Sequence, residues 1–375
     1  MSEAAASLAS LQPPDGIDAA RLKRVLVIKL RHHGDVLLTS PVLAALKTAA
    51  PQAQIDALVY ADTGPMLQGH PALDQLHLLP RDARKGGWRQ RLRSERVLLA
   101  TLRERRYDLL VHLTDHPRGA LLAWLLAPRW SVSHERDHGQ WWWRRAFTHI
   151  ARQPRGTPRA TVERHLDALR RVGIHPAAAD KSPTLHTDPG TLESARAKLR
   201  AAGWSGAAYA VVHPGSRWLF KAWTAEGNAR VIEHLAARGL AVVLTAAPDP
   251  RESLLCDAIL RASRAPCIDL RGQLTLPELG AVIREAAVFA GVDSVPMHIA
   301  AAVGTPGIGI FGPSKDLEWG PWSDRMRVVA ARDFPCRPCN IDGCGGSKRS
   351  ECLVALPAQQ VTAALDEVMA RHAAG

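Results

Sequence analysis

Val25-Leu-Val-Ile-Lys-Leu30, followed by Arg31-His-His-Gly-Asp35, is an apolar, β-branched run that stops abruptly in a polar loop. Short runs of this kind read as strands buried on both faces, as in a parallel sheet. The next segment, Val36 to Ala50, has the spacing of a helix, and Ile55–Tyr60 reads as a second strand. Leu109–Leu113 and Trp130–Ser133 are further strands, with helical stretches between them. Strands alternating with helices build βαβ units.

The pattern then pauses and restarts. Ala177 to Gly190 has no periodicity and holds Pro183 and Pro189, so it reads as a linker. Beyond it, strands are expected at Tyr209–Val212, Ala241–Leu244, Val288–Ala290 and Gly307–Phe311. One helix is well punctuated, with Thr224 as N-cap, a periodic run to Arg238, and Gly239 past the end. At 375 residues the chain is long enough for two domains. The expectation is an α/β protein with a loose tail over 1–21 and a doubly wound, Rossmann-like domain over 22–182. A second such domain follows over 190–356, including a Cys-rich loop at 336–352, and then a terminal helix over 357–375. Ligands of such sheets bind beyond the carboxyl ends of the strands. The chemistry therefore belongs in the loops after Leu30, Val212 and Ala290, facing one cleft.

Composition narrows the partners. Hydrophobic residues make up 46% and charged residues 22%, which argues against long disorder. Net charge is +12, and between Arg81 and Ala160 there are 18 lysines and arginines against seven acids. Six of the 11 tryptophans lie there too: Trp88, Trp124, Trp130, Trp141, Trp142 and Trp143. That mixture suits an anionic partner or a membrane interface, with a solvated basic face as the plainer reading. No segment reaches the ~18 apolar residues of a membrane span. The longest apolar run, Ala120 to Ala127, reads as a core element, and the N-terminus lacks a secretory pattern. Any membrane contact is expected to be peripheral, on the cytoplasmic face.

In the first loop, Asp35 follows Gly34 at the mouth of the sheet. It is either the N-cap of the next helix or a general base, ionised at pH 7 and ready to take a proton from a hydroxyl. In the second loop, Gly215 and Ser216 offer backbone N–H groups and a hydroxyl to phosphate, and Lys221 offers a point charge, unless it is a plain surface lysine. In the third, Ser294 and Pro296 begin a helix whose N-terminus suits a diphosphate. Asp293 would bind sugar hydroxyls or pair with Lys221, and His298 would face the ligand or lie in the core.

Absent motifs matter as well. No G-x-G-x-x-G follows the first strand of either half, there is no P-loop, and no nucleophile elbow occurs. A nicotinamide dehydrogenase is thereby disfavoured. No paired acidic motif marks a magnesium site, so no metal is expected.

These segments resemble the lipopolysaccharide heptosyltransferases of glycosyltransferase family 9. Val25 to Thr39, with its Arg-His-His-Gly-Asp core, is most like the heptosyltransferase III group. His213-Pro-Gly-Ser216 with Lys221 and Trp223, then Asp269-Leu-Arg-Gly-Gln273, then Phe289 to His298, are similar to the same family in the same order. The likeness runs from about residue 22 to 370.

The resemblance implies a GT-B fold and an inverting, metal-independent transfer with no cofactor. The donor would be ADP-L-glycero-D-manno-heptose and the acceptor a heptosylated Kdo–lipid A core. It implies Asp35 as base. It implies Ser216, Lys221, Gly272, Asp293, Ser294, Val295 and His298 at the donor. Arg31, His32 and Arg118 are read toward the acceptor from their positions in the loops. A ribose-binding carboxylate falls at Asp249 or Glu252. The set Cys336, Cys339, Cys344 and Cys352 is read as a structural zinc site, free thiols or redox pairs. A related transferase for another sugar or acceptor is the alternative. A non-catalytic polyanion binder is disfavoured because no nucleic-acid motif appears.

Overall fold

Strand β1 (Arg24–Lys29) is buried from Val25 to Lys29 and lies inside a six-stranded parallel sheet. A computed structural model describes residues 13–81, 88–136, 141–153 and 156–372. The chain divides into two compact units, Met1–Pro183 and Thr184–Gly375.

In the first unit, β1 is joined by β2 (Gln54–Tyr60), β3 (Gln75–Leu79), β4 (Leu109–His112), β5 (Trp130–His134) and β6 (His149–Ala151). Their order is β3-β2-β1-β4-β5-β6, with every pairing parallel. The helices between them are α1 (His33–Leu37), α2 (Ser40–Ala49), α3 (Trp88–Glu104), α4 (Pro117–Leu126), α5 (Trp141–Ala146) and α6 (Thr161–Arg171). The second unit repeats the plan with β7 (Tyr209–His213), β8 (Ala241–Leu244), β9 (Ile268–Asp269), β10 (Val288–Val292), β11 (Gly307–Ile310) and β12 (Met326–Val329). Their order, β12-β11-β10-β7-β8-β9, is the same topology. Both sheets have the dinucleotide-binding strand order, whose direction reverses between the first and fourth strands. The loops after β1 and β4, and after β7 and β10, therefore flank the crevices in which such sheets hold ligands.

The main helices of the second unit are α7 (Pro189–Ala201), α8 (Ala225–Ala237), α9 (Pro250–Ala262), α10 (Leu276–Arg284) and α11 (Val295–Val303). Helix α8 starts where the spacing predicts, with Thr224 Oγ1 accepting from Gly227 N at 3.0 Å. It is followed by Gly239 at φ 81°. The final helix, α12 (Ala358–His372), packs on α8, β11 and β12.

Three expectations change. The helix predicted over 36–50 is two helices. Pro41 has no N–H to return to Leu37 O, so the ladder breaks there, and Ser40 Oγ takes up that carbonyl at 2.8 Å. The apolar run at 120–127 is not all core. Ala120, Leu122 and Ala123 are buried, whereas Leu121 and Trp124 face outward, because a helix on a sheet buries only one stripe. The tail expected over 1–21 is anchored from residue 13. Ile17 is buried, Ile17 N donates to Val172 O at 2.9 Å, and Asp15 pairs with Arg171 at 2.7 Å. Residues 1–12 lie outside the described residues. Among the described residues no helix is long and apolar enough to cross a membrane.

Candidate active site

In the first unit the residues gather at the end of β1. Asp35 sits in the first turn of α1, but the N-cap position belongs to His32 and no side chain caps the helix. The capping role expected for Asp35 is thereby corrected. Its carboxylate instead lies 3.6 Å from Lys29 Nζ and is largely buried. Lys29 Nζ also donates to Leu113 O at 2.8 Å and meets His165 Nε2 at 2.8 Å. His165 Nδ1 is 2.9 Å from Leu38 O. A carbonyl can only accept, so Nδ1 carries the proton and Nε2 accepts from Lys29. Burial pushes Lys29 down to about 8, opposed by the attraction of Asp35. Burial, with the charge of Lys29, holds His165 well below its ordinary value. Near neutral pH a lysine cation thus sits between a carboxylate and a neutral imidazole.

That depression predicts a pH effect. Between about pH 8 and 10.5 the unfolded chain keeps a proton on Lys29 that the folded chain has lost. Stability from this group therefore rises through that window. Below pH 8 the burial cost is carried in full, about 3 kcal/mol at 1.36 kcal/mol per pKa unit. Urea unfolding across the window is expected to show a steeper rise for the native protein than for Lys29→Met. Equal slopes would mean that Lys29 titrates normally.

Arg31 reaches Asp115 of the β4 loop at 3.9 Å, and both side chains are exposed. His32 is exposed beside it. The Arg118 guanidinium turns to Glu95 on α3.

The second unit builds its site on β7, β8 and β10. His213, at the end of β7, is held neutral by burial, which pushes it down to about 4, and its Nδ1 meets Thr245 Oγ1 at 2.9 Å. Gly215 lies so close to Glu252 that a Cβ there would come within 2.3 Å of Oε2. Ser216 is buried, with Oγ donating to Asp293 O at 3.4 Å. Lys221 Nζ donates to Asp293 Oδ2 at 2.7 Å. Ser294 is the N-cap of α11 without a side-chain cap, its Oγ donating to Val292 O at 3.2 Å. The first N–H groups of the helix, including that of Val295, have no acceptor within the helix. His298 is buried on α11. Gly272 turns at φ 67° and donates to Ala246 O at 2.9 Å, bringing its loop beside that of β8.

The two candidate carboxylates separate clearly. Asp249 caps α9 through Arg251 N at 2.8 Å and binds the Arg251 guanidinium, which lowers it to about 2. Glu252 is buried on Gly215 and accepts from Ala247 N at 2.9 Å, and burial raises it. The four clustered cysteines are unpaired, and Cys344 Sγ accepts from Glu351 N at 3.4 Å. Among the described residues no group of three or more His, Cys, Asp or Glu is arranged to hold a metal.

Sequence reasoning passed over Lys29 and His165. A lysine inside a buried apolar strand was a usable signal, since lysine is almost never fully buried unpaired. His165 lies 136 residues further along and had no local signal.

Two parallel sheets of dinucleotide-binding order, each with polar loops at its switch point, define a GT-B architecture. The chain belongs to glycosyltransferase family 9 (heptosyltransferase), whose profile matches residues 96–348, and it is a glycosyltransferase. Lipopolysaccharide heptosyltransferase 3 of Escherichia coli is 36% identical over 348 residues, covering 92% of this chain and 99% of that one. The crystal structure of a family 9 glycosyltransferase from Veillonella parvula DSM 2008 superposes with TM-score 0.79 at 20% identity, covering 95% of this chain and 99% of that one. E. coli ADP-heptose lps heptosyltransferase II gives TM-score 0.74 at 21% identity, covering 93% and 99%.

Proposed function

We propose that the chain transfers heptose from ADP-L-glycero-D-manno-heptose to the heptosylated Kdo–lipid A inner core of lipopolysaccharide, as a heptosyltransferase III. The observation that carries this reading is the 36% identity to E. coli lipopolysaccharide heptosyltransferase 3 over nearly both whole chains. The arrangement of polar groups at both switch points supports it.

In this reading Asp35 takes the proton of the acceptor hydroxyl while that oxygen bonds to the anomeric carbon of the heptose. The bond from that carbon to the diphosphate breaks, and ADP leaves with the electron pair. Attack opposite the leaving group inverts the centre. Lys29, tied to Leu113 O and His165, holds Asp35 in place and balances its charge. The N–H groups at Ser294 and Val295, with Ser216 and the Gly272 turn, receive the diphosphate. Lys221 adds positive charge, and no step uses a metal. Asp293 and His298 address the sugar. Glu252 is the ribose carboxylate, because the oxygens of Asp249 are already engaged. Arg31, His32 and Arg118 meet the acceptor. A lipid-borne acceptor places the enzyme at the inner face of the inner membrane, held there peripherally.

The test compares ADP-heptose with other nucleotide sugars on a defined truncated lipopolysaccharide. One heptose added per acceptor, fastest from ADP-heptose, is the expected result. Faster transfer from another nucleotide sugar would sink the donor assignment. A steeply salt-dependent affinity for nucleic acid, with no stabilisation by ADP, would point to a polyanion binder instead.

A further inference from the structure

Helices α3, α4 and α5 of the first unit enclose a groove of about 1220 Å³, whose lining includes Arg118 from the acceptor set but none of the residues assigned to the chemistry or the donor. Its walls are apolar, with Leu92, Leu99, Leu121, Trp124, Leu125 and Trp141 among them. Three of these stand well out of the protein: Leu121 is 52% exposed, Trp124 70% and Trp141 69%. Apolar surface of this extent, gathered in one place, marks a binding surface. The volume exceeds the roughly 300–1,000 Å³ of an ordinary small-ligand pocket, and the form is an open trough between helices.

The lining also holds three arginines. Arg96 comes from α3, Arg118 from the start of α4, where it pairs with Glu95, and Arg145 from α5, where it lies over the Trp141 ring at 5.2 Å. Around them the stretch from Arg81 to Ala160 carries 18 basic residues against seven acidic ones. Tryptophan beside arginine is the pairing that sits at the level of lipid headgroups, with the ring in the interface and the cation on phosphate.

We propose that this groove seats an acyl chain of an anionic phospholipid from the membrane leaflet. Leu121 and Trp124 enter the apolar layer, and Arg96 and Arg145 bind phosphate. The proposal rests on the membrane location put forward above and adds the surface that makes the contact. Charge selects this occupant over a second copy of the chain. Two copies meeting through this face would set arginine rim against arginine rim, and like charges in register oppose such a dimer.

The experiment uses the full chain with vesicles free of lipopolysaccharide and of donor, so its outcome does not depend on the transfer assignment. Vesicles of phosphatidylglycerol and phosphatidylethanolamine are compared with vesicles of phosphatidylcholine alone, by co-sedimentation. Binding at least tenfold tighter to the anionic vesicles is expected. Leu121→Ser with Trp124→Ser should lose at least tenfold of that affinity while transferring heptose to a soluble, delipidated acceptor at the native rate. Arg96→Glu with Arg145→Glu should lose it too. If the arginine variant loses binding but the Leu121/Trp124 variant does not, the attraction is charge alone and the acyl site is overturned. No binding to either set, with binding to a third set that contains a lipid A-type lipid, would overturn it in favour of the acceptor's own chains. Self-association abolished by Leu121→Ser with Trp124→Ser, without vesicle binding, would make the groove an interface between copies.

Discussion

Asp35→Asn is expected to slow heptose transfer by about 10²–10⁴-fold, the usual contribution of a positioned general base, with ADP binding unchanged. The amide keeps the shape of the carboxylate but cannot take the acceptor proton. Lys29 keeps its bonds to Leu113 O and His165, so the end of β1 should stay folded. It does lose the negative charge 3.6 Å away that opposes its desolvation. Lys29 should therefore deprotonate at lower pH in the variant than in the native protein. Initial rates on a truncated acceptor, with ADP affinity by calorimetry, check both halves of the expectation. Lost ADP binding would move Asp35 to a structural or donor role. Native rates would remove it from the chemistry.

The central strands of both sheets could be read from sequence because a strand buried on both faces is a continuous apolar run. Val25–Leu30 and Tyr209–Val212 are such runs. The four strands not anticipated, β3, β6, β9 and β12, are the four edges. An edge strand meets solvent along one side, so its residues are mixed. Gln75–Leu79 mixes exposed and buried residues, Met326–Val329 buries only its last residue, and β6 and β9 are too short to show a pattern, at three and two residues. The loops at the switch points were legible for the same reason as the strands they follow. What they contain was legible only in part. The salt bridge of Lys221 to Asp293, across 72 residues, was one of the two roles read for Asp293, whereas the support of Lys29 by His165 joins residues 136 apart. That second pairing has no spacing to read. That Asp249 is taken up by Arg251 while Glu252 lies against Gly215 is set by how these side chains pack, and it has no signal in the sequence.

Lys221→Met is expected to cost stability and donor affinity together, and a double variant separates the two. Asp293 is buried, 5% exposed, and Lys221 Nζ is its one charged partner among the contacts described, at 2.7 Å. Removing one partner of a buried ion pair costs roughly 3–5 kcal/mol, because the other charge is left without compensation. The Lys221 side chain is 23% exposed, so water can screen part of the loss and the lower end, about 3 kcal/mol, is expected. Lys221→Met with Asp293→Asn removes both charges, and most of that stability should return. Donor affinity should not return with it. If Lys221 also meets the diphosphate, a charge-assisted bond of about 1.5–3 kcal/mol is lost for good, and ADP affinity stays about 10–150-fold weaker. Chemical denaturation and ADP titration on the single and double variants measure the two quantities separately. Native ADP affinity in the refolded double variant would confine the pair to holding the end of β10 against the β7 loop. The diphosphate would then rest on the backbone N–H groups of α11 and on Ser216.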